Sequence, residues 1–239
     1  MAKQDRAVRT RQELIRSAAQ VFDRAGFADS SIAQVCAGAG VSQGALHFHF
    51  RNKRALGEAV ESAAAQTLAH VIGSVPVRHC APLQLLVDTS HSLAHRLAHD
   101  TVLRAGFALG SDATWHGGVN LWQEWRDWVQ RTLTVSREQG SVAADVVLDD
   151  AVCSITAVIA GLEVLARSDA HWHACEAVTR FWRLMLPQLS SEAARDRLDA
   201  AGSGALAFGS PDRPEDRPAD GDRDGEWATW LPCDALSGG

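Results

Sequence analysis

The residues best placed to do chemistry lie between Ser31 and Leu56, in SIAQVCAGAGVSQGALHFHFRNKRAL. Ser42 is positioned to cap a short helix, its hydroxyl accepting one of the amide protons that a helix start leaves free. The helix it opens is about two turns long and presents Gln43, His47 and His49 with no acidic neighbour. Backbone amides near Ser42, Gln43 and Gly44 can bind a phosphate. Gln43 can hydrogen-bond a base edge, adenine most naturally. Arg51 and Lys53 follow directly and suit phosphate contacts that set position rather than sequence. Leu46, Phe48 and Phe50 read as the apolar side that packs the helix. A short helix, polar outside and braced by another, is what a DNA major groove accepts.

No reaction is readable elsewhere. There is no nucleophile elbow, phosphate loop, dinucleotide fingerprint or paired-carboxylate constellation, so no catalytic residue and no cofactor is expected. His91, His95 and His99 fall at i, i+4, i+8, but no Glu follows His91 and no cysteine sits at ligand spacing, so a solvated or interface stripe is expected rather than a metal site. The five cysteines are odd in number, scattered and without a C-x-x-C pair, which suits free thiols in a reducing cytoplasm. No stretch approaches the ~20 apolar residues of a membrane span, and no signal-peptide core follows the charged start.

The elements that must position the chemistry read as helices nearly throughout. Leu14, Ala18, Val21 and Phe22 give a stripe on a first helix from about Arg6 to Ala25, with Arg6, Arg9 and Arg11 on its solvent side or in an arm before it. Ile32, Val35 and Cys36 pack a second helix, and Gly38, Ala39 and Gly40 supply small residues for a close crossing and a sharp turn. A linking helix is predicted over Lys53–Ile72, then helices over Pro82–His99, Asp100–Gly110, Val119–Gln139, Leu148–Ala166 and Trp172–Leu189. Leu148–Ala166 is apolar on nearly every face, which marks it as buried all round. Within it Glu163 needs a partner, because an unpaired carboxylate there would be costly. After about Ala200 glycine, proline and aspartate dominate, the composition of a disordered acidic tail. The predicted organisation is therefore all-α: a three-helix head over 1–52, a helical ligand-binding and dimerisation domain over 53–200, and a tail over 201–239.

Charge agrees with a head that meets DNA. Residues 1–54 hold nine Lys/Arg against four Asp/Glu, a balance of +5, which leaves −11 for the rest of a chain whose total is −6. A basic head on an acidic body touches phosphates at one end only.

The helix-turn-helix stretch resembles that of TetR-family regulators, whose pattern runs roughly IA..AGVS.G.LY.HF..K..L. Ala39-Gly40-Val41-Ser42, Gly44, Leu46, His49-Phe50, Lys53 and Leu56 fall in place. The opening residues, LRAGF from Leu103 to Phe107 and EWRDW from Glu124 to Trp128 are similar to the γ-butyrolactone-receptor branch of actinomycetes. That narrower resemblance is strong from Met1 to about Val60 and patchy to about Leu189. It implies a repressor that binds a quasi-palindromic operator in double-stranded DNA as a homodimer and is released by a small effector, with the helices Leu148–Ala166 and Trp172–Leu189 forming the interface. The alternative effector is an antibiotic or other metabolite. His47 stands where the family usually has a tyrosine that meets phosphate, and an imidazole can also donate there. Gln43 stands where this branch often has lysine, so operator preference does not simply carry over. Trp125 matches the tryptophan that lines the effector pocket, an indole wall suited to a lactone or furan with an alkyl chain. Phe107 and Leu86 are weaker pocket candidates.

Overall fold

A computed structural model of the chain describes residues 2–73, 81–168 and 174–203. Its helices are α1 (Ala2–Ala25), α2 (Ile32–Ala39), α3 (Gln43–His49), α4 (Lys53–Gly73), α5 (Pro82–His99), α6 (Thr101–Ser111), α7 (Leu121–Glu138), α8 (Leu148–Ser168), α9 (Ala174–Leu189) and the short α10 (Glu192–Arg195). No strand is present among the described residues, only one isolated antiparallel bridge between Val142 and Ser190. None of the described helices is long and apolar enough to cross a membrane.

Local chemistry sets the head. Ser31 and Gln34 form a capping box at α2: the Gln34 amide donates to the Ser31 hydroxyl at 3.3 Å, and the Ser31 amide donates to Gln34 Oε1 at 2.8 Å. Gly40 ends α2 in the left-handed region at φ +65°, a conformation that glycine adopts without penalty. Ser42 then caps α3, accepting from the Ala45 amide at 3.2 Å. Leu14, Ala18 and Phe22 of α1, Val35 and Cys36 of α2, and Leu46 and Phe50 close one buried cluster. A Cβ at Gly38 would collide with Ser17 Oγ, so the small residue is required where α2 crosses α1.

That cluster does not end with the head. Leu56 and Val60 of α4, Ala105 and Leu109 of α6, and Trp115 beyond α6 complete it. α4 is a shared spine, since its Ala64, Leu68 and Val71 belong to the second cluster, with Leu86, Phe107, Trp125, Ile155 and Trp182. Arg104 of α6 clamps the two parts together. Its guanidinium pairs with Asp23 of α1 at 2.9 Å and donates to the Leu97 carbonyl, also at 2.9 Å.

Taken as one chain, α8 is not buried all round: Val164 is 58% exposed and Leu165 41%, and on its neighbour α9 Leu184 is 79% exposed. After α10 the chain stays fastened to α5 as far as Ser203, three residues into the predicted tail. Gln84 and the Asp199 backbone exchange two hydrogen bonds, at 2.7 and 3.1 Å. Ser203 donates to Asp88 through both its amide (2.8 Å) and its hydroxyl (2.6 Å). The rest of the predicted tail, 204–239, lies outside the described residues.

Candidate DNA-reading head and effector site

On α3 the exposed residues are Gln43, Gly44, His47 and Phe48, which recur at i, i+1, i+4, i+5 and so share one outward face. Ser42 is exposed, but its hydroxyl is spent on the cap. The amides of Gln43 and Gly44 lie in the first turn, where helix geometry supplies no acceptor. A Cβ at Gly44 would meet nothing nearer than Ser42 Oγ at 3.9 Å. Packing among the described residues therefore does not demand a glycine there. Arg51 is exposed one residue past the helix cap.

Two residues depart from the sequence reading. Phe48 does not pack the head: it is 81% exposed and touches the His49 ring edge-on at 5.1 Å. The helical angle carries the signal, because the buried stripe is Leu46 and Phe50, and Phe48 sits about 200° from Leu46. An exposed phenyl on such a helix suits apolar contact with a base edge, above all the thymine methyl. Phe48→Ala should therefore weaken operator binding about tenfold and erase a thymine preference at one position of each half-site, as read by mobility shift on duplexes carrying uracil in place of thymine. Unchanged discrimination would remove Phe48 from the contact.

Lys53 is the second. Its ammonium donates to the carbonyls of Phe27 (2.7 Å), Ser30 (2.8 Å) and Ala28 (3.1 Å) and lies 4.6 Å from the centre of the Phe27 ring. All three ammonium protons are thus used inside the protein. Sequence proximity to α3 suggested a phosphate ligand; the turn after α1 takes the charge instead. Arg11 likewise stacks on the Phe50 ring at 5.2 Å, bracing α1 against the end of α3.

In the body, Trp125 is fully buried and stacks on Trp128 at 5.2 Å, while Trp122 leans on Phe107 at 4.3 Å. Leu86 and Phe107 are buried in the same cluster. Among the described residues the indole N–H of Trp125 finds no acceptor, and neither does that of buried Trp182 or the hydroxyl of Thr89. Sequence reasoning missed Trp182 and Thr89, since nothing in a helical apolar pattern marks an unsatisfied donor. Buried donors are nearly always paired, and leaving one unpaired costs about 1–3 kcal/mol. Such donors in an apolar setting are the polar features that orient a small apolar ligand.

The histidine stripe resolves into two environments. His91 is buried, with Nε2 3.0 Å from the Ala200 carbonyl. His95 and His99 stack at 4.3 Å, and burial, then the charges of His99 and Arg96, hold His95 below the ordinary histidine value. No group of three metal-ligating side chains occurs among the described residues.

This arrangement, a capped reading helix braced by a second and joined through a shared spine to an apolar helical body, defines a one-component regulator. Residues 14–60 match the model of the bacterial regulatory proteins of the TetR family. The A-factor receptor protein of Streptomyces griseus is 31% identical over 191 residues, 80% of this chain and 67% of that protein. A γ-butyrolactone receptor described as ArpA-like superposes with a TM-score of 0.72 at 26% identity, over 80% of this chain and 94% of its own. CprB of Streptomyces coelicolor, a TetR-family protein solved in complex with its operator sequence, superposes with a TM-score of 0.68 at 25% identity, over 80% of this chain and 94% of its own. The chain belongs to the TetR family, within the branch of A-factor and γ-butyrolactone receptors.

Proposed function

We propose that the protein is a cytoplasmic, ligand-responsive transcriptional repressor that binds a quasi-palindromic operator as a homodimer and leaves it when a γ-butyrolactone-type signal binds. The head over 1–52 reads DNA through Gln43, His47 and Phe48. Gly44 admits the DNA backbone, and the free amides of the first turn, with Arg51, meet phosphates. The body over 53–200 carries the effector site and the dimer face.

The observation that carries the effector class is the buried indole N–H of Trp125, which finds no acceptor among the described residues. A lactone or ketone carbonyl supplies an acceptor, and an alkyl chain packs against apolar side chains such as Leu86 and Phe107. A ligand that binds the free form ~100-fold better than the operator-bound form weakens DNA binding by about 2.7 kcal/mol.

The test is release of a protein-selected operator duplex in a mobility shift, titrating γ-butyrolactones, butenolides and furans. Release by one class is expected for the wild type, with at least about a tenfold higher concentration needed for Trp125→Phe, which keeps a buried ring but loses the N–H. DNA binding itself should be unchanged. Binding without release by any compound would remove the butyrolactone assignment and leave the repressor.

A further inference from the structure

We infer that the loop between α6 and α7 is a latch that fixes the angle of the reading head on the body, with Trp115 and Glu61 as its positioning residues, and that this angle sets the half-site spacing the dimer accepts. The inference rests on the proposed dimeric operator binding and assigns a role to residues outside both the DNA face and the effector site.

Trp115 belongs to no helix, yet it is only 9% exposed and completes the core of the head. Its ring meets the edge of Phe27, at the turn after α1, with centres 4.7 Å apart. A Cβ added at Gly57 of α4 would collide with the indole, so α4 keeps a gap for it. The indole N–H donates to Glu61 Oε1 at 3.0 Å, and the Gly118 amide donates to Glu61 Oε2 at 3.2 Å. Glu61 is 3% exposed, and a carboxylate buried so deeply needs such donors on each oxygen. Glu61 therefore fastens both ends of the loop tip to α4. Asp112, at the start of the loop, accepts the Phe27 amide at 3.0 Å.

Geometry gives this latch its function. The head packs on α6 through Ala105 and Leu109 and is pinned there by the Arg104–Asp23 pair, and Ser111, where α6 ends, lies about 10 Å beyond Arg104 along the helix axis. Apolar packing alone lets one helix rock on another; the directional bonds at Trp115, beyond the end of α6, oppose that rocking. The loop then runs directly into α7, which carries Trp122 and Trp125, so the same strut that fixes the head reaches the effector site. In a two-fold dimer, fixed heads accept one separation and rotation of half-sites, whereas loosened heads accept several.

The experiment uses the full chain and a duplex selected by the wild type from a random pool, alongside the same duplex with one base pair inserted at its centre. The insertion turns one half-site by about 35° relative to the other. Wild type should lose about tenfold or more in affinity, because the two heads no longer engage together. Trp115→Phe, which keeps a ring but lacks the N–H, should lose no more than about threefold. Glu61→Gln should behave likewise, since its amide turns a donor towards the Gly118 N–H. An isolated half-site should bind wild type and both variants equally. Variants that fold by circular dichroism but keep the wild-type insertion penalty overturn the latch, as does a wild type indifferent to the insertion. Weaker half-site binding by the variants also overturns it, placing Trp115 inside the head's own stability. Should Trp115→Phe fail to fold, Glu61→Gln decides alone. Failure of the wild type to select any duplex strikes the proposed function instead.

Discussion

Lys53→Met should destabilise the protein by about 2–3 kcal/mol while leaving the salt dependence of operator binding unchanged. Methionine retains the length and apolar stem of lysine but removes the ammonium. The carbonyls of Phe27, Ala28 and Ser30 now converge on that cation. Without it their dipoles face one another, and the partly buried Phe27 and Ser30 oxygens lose a charge-assisted bond, the kind worth about 1.5–3 kcal/mol. The cation–π contact with Phe27 adds to the loss. For a chain of this size the change corresponds to a fall of about 5–10 °C in melting temperature. Lys53→Arg should rescue little, because a planar fork does not reproduce three donors converging from one nitrogen. Had Lys53 been a phosphate ligand, its removal would lower the slope of log affinity against log salt by about one and leave stability nearly untouched. Thermal unfolding and a salt titration on the same variant separate the two roles, and a lowered slope with an unchanged melting temperature would return Lys53 to the DNA.

The same turn has an acid limit. The Thr114 hydroxyl is the main cause holding the Asp112 carboxyl below its usual range; burial opposes it, and the Thr114 and Phe27 amides and Lys53 lower it further. A carboxylate favoured by folding stabilises the native state above its ordinary titration range. That contribution disappears as pH falls through the lowered value.

The head is legible in the sequence because its signals are local. A capping serine, a glycine after α2 and an i, i+4 pair such as Leu46 and Phe50 each act within a few residues, so spacing alone reveals them. Lys53 and Trp115 were not legible for the opposite reason. Lys53 bonds carbonyls 23 to 26 positions earlier, and Trp115 meets a carboxylate 54 positions earlier, so neither pairing leaves a periodic trace. α5 shows a subtler limit. Gln84, Asp88 and His91 form a polar stripe at i, i+4, i+7 that reads as a solvated face, yet all three are buried beneath the chain returning at 199–203. Polar periodicity marks where hydrogen bonds are made, not whether water or backbone makes them. α8 is the converse case. Its all-round apolarity reads as burial against neighbours, yet Val164 and Leu165 stand exposed in the single chain, as the predicted dimer interface needs.

That requirement yields the second large effect: Leu184→Glu should convert the dimer to a monomer and lower operator affinity by about 100-fold or more. Leu184 of α9 is 79% exposed and Val164 of the neighbouring α8 58%, while Phe181 is half-buried one turn before Leu184. Apolar side chains in that number on two adjacent helices are more than a monomer surface needs to show. Arg180 and Glu176, paired at 2.5 Å, and Arg183 lie exposed nearby and supply the polar rim typical of an interface. A two-fold axis repeats every substitution, so one variant buries two carboxylates in the same apolar seam, each at the cost of an unpaired buried charge. The monomer retains its own core, since Leu184 belongs to neither buried cluster, and should still bind one half-site. Its loss is the second, intramolecular engagement, which contributes about 10²–10⁴ in affinity. Sedimentation gives the mass and a mobility shift gives the affinity on full and half operators. A variant that stays dimeric would move the two-fold axis off this face. A monomer with full operator affinity would show instead that the DNA, rather than the α8–α9 seam, brings the two heads together.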